Sequence, residues 1–112
     1  MAKPQTRTYS RYTQNALALL ANQIREGRIA ANFTAEALAQ RAGISRSLLQ
    51  RIEKGDPGCA IGAVFEVAAI LGIPLFEADS KILSTRLAYS NEKQALLPRA
   101  VRPSGKAVKD DF

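Results

Sequence analysis

The sequence predicts an all-α bundle of four to five helices with flexible N- and C-terminal tails. Apolar residues recur at helical intervals through the middle of the chain, and residues suited to capping stand where those runs begin and end. At 112 residues and 46% hydrophobic content, the chain also has the size and apolar share of one compact core with residues left over for tails.

Taken in order, residues 1–13 carry Lys3, Arg7 and Arg11 with Pro4 and several small polar residues, and show no periodicity. They read as a flexible basic arm. From Gln14 onward, Leu17, Leu20, Ile24 and Arg28 fall on one stripe of an amphipathic first helix that ends near Asn32. Thr34 is placed to cap a second helix of about two turns, with Glu36 near the positive end of its dipole. Gly43 suits the left-handed residue that ends a helix and Ser45 suits the next cap, so residues 42–45 form a tight turn. A third helix follows from Arg46 to Lys54, stopped by Gly55 and the Asp56-Pro57-Gly58 turn. Ile61, Val64, Val67, Ala68 and Leu71 predict a fourth, mostly buried helix ending at Gly72 and Pro74. Residues 73–76 are either a short strand or the lead into another helix. Ser80 to Ala95 predicts a fifth, partly exposed helix, with Ile82, Leu83 and Leu87 among Lys81, Arg86 and Lys93, and Pro98 ends it. The expected organisation is thus residues 1–13 as arm, 14–74 as the principal domain, 75–97 as a further helical segment for dimerisation or a partner, and 98–112 as a disordered tail. That tail has two prolines, four basic residues and little apolar surface to offset the entropy of ordering.

Charge and composition narrow the function. Sixteen Lys and Arg against ten Asp and Glu give a net charge of +6, which favours a polyanion such as nucleic acid or an anionic membrane. No apolar run approaches the roughly 20 residues that span a bilayer, and the first residues lack a secretory hydrophobic stretch, so a soluble intracellular protein is expected. With one cysteine and no histidine, the chain has no clustered soft ligands for zinc and lacks the commonest general base. No glycine-rich phosphate-binding loop is present and the acids are scattered. The expectation is therefore no enzyme, no metal and no cofactor.

Two short helices joined by a glycine-containing turn within a basic helical domain form the pattern of a DNA-binding helix-turn-helix. The third helix sharpens this, because Leu49 and Ile52 fall on its inner face while Arg46, Ser47, Gln50, Arg51 and Lys54 share the opposite one. Arginine grips guanine O6 and N7 through two parallel hydrogen bonds, and glutamine does the same at adenine N6 and N7. An ordinary solvated helix face is the plainer alternative for these residues. Leu48 borders both faces, either packing on the second helix or touching a thymine methyl. Arg28 and Glu53 are either an ion pair tying the first helix to the third or two independent charges. Leu75 and Phe76 are either dimer contacts or a cover for the domain's open end. Phe112, behind Asp110 and Asp111, is either an anchor for a partner's pocket or part of a disordered end.

Leu20 through Ile73, reading LANQIREGRIAANFTAEALAQRAGISRSLLQRIEKG and then VFEVAAILGI, resembles the Xre-type helix-turn-helix domains that include phage repressors and Cro. The resemblance implies a lambda-repressor-like bundle in which Arg46, Ser47, Gln50 and Arg51 contact bases. It further implies a structural ion pair between Arg28 and Glu53. The charge placement itself predicts phosphate contacts from Arg25, Arg41, Lys54 and the basic arm, joined by Thr34 and Ser45. The family often has glutamine after the threonine that caps the second helix, where this chain has Ala35. The segments LGIPLFEAD, LLPRAVRP and VKDDF resemble, more narrowly, antitoxins of the HipB kind. That likeness implies a homodimer on inverted-repeat operator DNA in the bacterial cytoplasm, associated with the nucleoid, repressing its operon and neutralising a HipA-like Ser/Thr kinase toxin. A stand-alone Xre regulator and a protein-interaction module with weak DNA binding are the rival readings.

Overall fold

The computed structural model describes residues 8–101 and 103. Among them are five α-helices and no strand: α1 (Arg11–Ala30), α2 (Ala35–Ala42), α3 (Arg46–Glu53), α4 (Ile61–Ile70) and α5 (Ser80–Leu96). The chain divides into two compact units, the first ending at Ala78 and the second beginning at Asp79.

Helix α1 begins at Arg11, ahead of the expected Gln14, because Ser10 acts as its cap. The Ser10 hydroxyl accepts from the Thr13 amide at 3.2 Å, and the Gln14 side chain donates to the Tyr9 carbonyl at 2.8 Å. The first bond satisfies one of the amides that a helix start otherwise leaves open, and the second ties the Gln14 side chain to the residue before the cap. Asn32 takes a left-handed φ of 62° and turns the chain out of α1. The next three boundaries follow local chemistry closely. Thr34 accepts from the Ala37 amide at 3.0 Å and Ser45 from the Leu48 amide at 3.0 Å. Between them Gly43 adopts φ 73°, so that the Gly43 and Ile44 amides reach back to the carbonyls of Gln40 and Ala39. Lys54 caps α3 instead of extending it, and Gly55 follows at φ 77°. There the backbone also approaches α1 closely, since a Cβ on Gly55 would stand 3.4 Å from the Leu17 carbonyl oxygen.

The core of the first unit draws one fully buried large aliphatic from each of four helices: Ile24 from α1, Leu38 from α2, Leu49 from α3 and Val67 from α4. Ala39 and Ile52 complete the buried cluster, and Phe33, Ile44 and Leu48 pack against it. The α2–α3 turn is therefore pinned at Ile44, and Leu48 joins the interior side of α3. Helix α4 is less buried than its composition predicts. Val67 and Ala68 are buried, whereas Phe65 is exposed and Ile61 is 71% exposed, because the bundle covers α4 along a single stripe. Residues 73–76 form neither strand nor helix but an irregular segment. Within it Leu75 is half-buried and the Phe76 ring lies 6.3 Å from that of Phe65, which keeps both residues in the first unit.

In the second unit Asp79 caps α5 by accepting from the Lys81 and Ile82 amides, and every residue of the helix is exposed. The arm residues Lys3 and Arg7, the end of the tail and Phe112 lie outside the described residues.

Leu49→Ala should lower the unfolding free energy by about 2–5 kcal/mol, the range for a large-to-small change at a closed core site, as measured by urea denaturation. Leu48→Ala, at a half-buried position, should cost less in the same assay.

Candidate nucleic-acid interface

Helix α3 is eight residues long, too short to persist alone in water, so its packing decides which face it shows. Leu49 and Ile52 are buried. Arg46, Ser47, Gln50, Arg51 and Lys54 are exposed, which places all five on the side of α3 that faces away from the core. This ridge carries three cations, one amide and one hydroxyl. It offers both hydrogen-bond donors and acceptors along a rod of about 12 Å.

An ion pair fixes the rotation of that rod. The Arg28 guanidinium donates from Nε to Glu53 Oε2 at 2.7 Å and from Nη2 to Oε1 at 3.1 Å, and its Nη1 donates to the Phe33 carbonyl at 3.1 Å. One side chain thereby joins α1, the α1–α2 connection and the last turn of α3. The two side chains are only 15% and 11% exposed, so the pair is shielded from water. The Glu53 hydrogen bond, opposed by burial, holds Arg28 more firmly protonated than an ordinary arginine. Phe33 is shared further, because the Arg41 guanidinium stands 5.8 Å from its ring centroid.

The remaining residues expected at phosphates are placed individually. Arg25 and Arg41 are exposed on α1 and α2, and Lys54 is exposed at the end of α3. The Thr34 and Ser45 hydroxyls are already engaged as acceptors in their caps. Each retains its hydroxyl proton for donation to an anion. Ala35 is half-buried and packs against the core, so this position serves the interior.

The structure adds one participant, Asp56, from the turn that follows α3. Arg51 Nε donates to Asp56 Oδ2 at 2.8 Å, and Asp56 Oδ1 accepts from the Gly58 amide at 2.7 Å. Arg51 is therefore held by a partner outside α3, with both side chains partly exposed at 47% and 36%. Arg51 and the Gly58 amide draw the Asp56 carboxyl below the usual aspartate range. Half of this arrangement has a local signal, because an aspartate two residues before a glycine amide is the pattern of an Asx turn. Beside it, burial pushes the Cys59 thiol up, with the Arg51 charge working against that shift.

No group of acidic and cysteine side chains that could hold a metal ion occurs among the described residues, and no described helix is long and apolar enough to cross a membrane. Residues 19–79, just over half of the chain, match a family model described as a helix-turn-helix domain. The matched span takes in most of α1, all of α2 to α4 and the irregular segment beyond. Neither the curated proteins nor the solved structures yield a match.

Two measurements test this geometry. Arg28→Ala should cost about 2 kcal/mol, somewhat below the 3–5 kcal/mol typical of a fully buried pair because some solvent reaches both groups. Denaturant unfolding checks it. In a carboxyl-detected NMR titration Asp56 should titrate below the ordinary aspartate range, and Arg51→Ala should raise its midpoint. The sign follows from linkage. A depressed folded-state pKa gives stability that is present above the ordinary aspartate value and lost as pH falls through the lower folded one.

Proposed function

The chain belongs to the helix-turn-helix domain family, and we propose that it is a sequence-specific DNA-binding repressor that acts by binding and not by catalysis. The observation that carries this reading is the division of α3. Leu49 and Ile52 are consumed by the core, and the opposite face keeps Arg46, Ser47, Gln50 and Arg51 exposed together. In the proposed complex these four read base edges in the major groove, with arginine to guanine and glutamine to adenine. Arg25, Thr34, Arg41, Ser45 and Lys54 contact phosphates, which set the register and make affinity fall with salt.

A helix this short reads only a few base pairs, so useful selectivity calls for two copies on an inverted repeat. Their recognition helices would enter successive major grooves about 34 Å apart. Leu75 and Phe76 are the proposed contacts between copies. Phe76 favours this, since it is 68% exposed even with its ring beside Phe65.

The narrower reading is an antitoxin that represses its operon in the bacterial cytoplasm and restrains a HipA-like kinase. Its support is the sequence likeness of the later segments, together with Ile82, Leu83 and Leu87, large apolar residues left exposed on α5. Loss of kinase restraint when these residues are changed, with operator binding intact, would support that role. Unchanged restraint would remove it and leave a stand-alone regulator.

The DNA reading is tested on duplex selected from a randomised pool. Arg46→Ala should weaken binding to the selected duplex by about 1–3 kcal/mol and relax preference at one base position. An equal loss on selected and scrambled duplex would show that Arg46 contacts only the backbone.

A further inference from the structure

Asp56 lies outside α3, yet it holds one of that helix's exposed cations. The two bonds to its carboxylate have different consequences. The one from the Gly58 amide, at 2.7 Å, fixes Asp56 to the backbone of the α3–α4 loop. Arg51, bonded at 2.8 Å to the other oxygen, is therefore tied to a fixed point and not to a second freely rotating side chain. A side chain at position 58 would press on this arrangement, so that the carboxylate would have to give by a few tenths of an ångström. A Cβ on Gly58 would stand 3.3 Å from Asp56 Oδ1 and 3.5 Å from Arg51 Nη2.

The atom engaged is Nε. A guanidinium held there still presents the edge formed by its two terminal amino groups, and that edge matches O6 and N7 of guanine. The carboxylate also sets a negative charge beside the reading helix. It opposes phosphate wherever the arginine finds no base partner to compensate.

We infer that Asp56 is a specificity-determining positioning residue, which aims Arg51 at one guanine by holding Nε and whose charge disfavours unrelated duplex. The inference rests on the assignment of α3 as the DNA-reading helix.

The test uses the full-length protein and a duplex that the wild type selects from a randomised pool. Wild type, Arg51→Ala and Asp56→Asn are titrated at one fixed salt concentration against that duplex, its single-base variants and a scrambled duplex. Asp56→Asn should lose about fivefold or more of the discrimination at the base pair whose preference Arg51→Ala also erases, while the other positions keep theirs. It should also bind the scrambled duplex more tightly than the wild type does. A merely structural brace would not move these two readouts in opposite directions. Unchanged discrimination at that base pair overturns the inference, whatever happens to the melting temperature, and so does an equal loss at every position. If the wild type selects no duplex, the DNA reading falls and takes this inference with it. Should Asp56→Asn fail to fold, the Arg51 Nε–H resonance of the wild type decides. It should keep the shift and slow exchange of an ion-paired group in the duplex-bound state, and a return to the free-arginine position overturns the inference.

Discussion

The bidentate grip of Arg28 on Glu53 sets the rotation of α3, and the candidate interface is meaningful only at that rotation. Burial of Leu49 and Ile52 supplies much of the attraction that holds α3 to the bundle, yet apolar contacts are non-directional and tolerate small turns of a helix about its axis. A planar guanidinium facing a planar carboxylate tolerates far less. Because Arg28 also donates to the Phe33 carbonyl, the same side chain fixes the entry to α2 relative to the exit of α3.

A shielded ion pair is a poor source of net stability, since desolvation consumes much of the Coulomb gain. Its value here is in registration. A slip of one position along α3 would separate Glu53 from Arg28 and carry Leu49 out of the interior. Arg51 and Asp56 form a second pair at the outer side of the same helix, partly open to solvent. The last turn of α3 is thus held from within by one pair and from the adjoining loop by the other. The inner pair orients the helix, and the outer one orients a single side chain on it.

The net charge of +6 is divided between these tasks. Arg28 spends its charge internally and Arg41 leans on the Phe33 ring, while Arg46 and Lys54 stand exposed on α3. An excess of basic residues therefore says less about the interface than the placement of each one does. In the proposed complex Arg25, Arg41 and Lys54 position the protein on the duplex, and Arg46, Ser47, Gln50 and Arg51 distinguish sequences.

Much of the fold is legible in the sequence because its signals are local. Thr34, Gly43 and Ser45 act within three or four residues of themselves, so the boundaries of α2 and α3 can be read directly, and the three-residue spacing of Leu49 and Ile52 marks the inner face. The start of α1 escapes that reading because Ser10 stands among other small polar residues with nothing to single it out as a cap. Residues 73–76 escape it because four residues contain too little of any period. Tertiary structure alone decides which charges meet. Whether Arg28 reaches Glu53 and whether Ile61 is covered depend on where separate helices come to lie, and whether Arg51 meets Asp56 depends on the path of the loop after α3. Local periodicity fixes the direction of a side chain from its own helix, but the partner waiting there is delivered by the path of the backbone elsewhere.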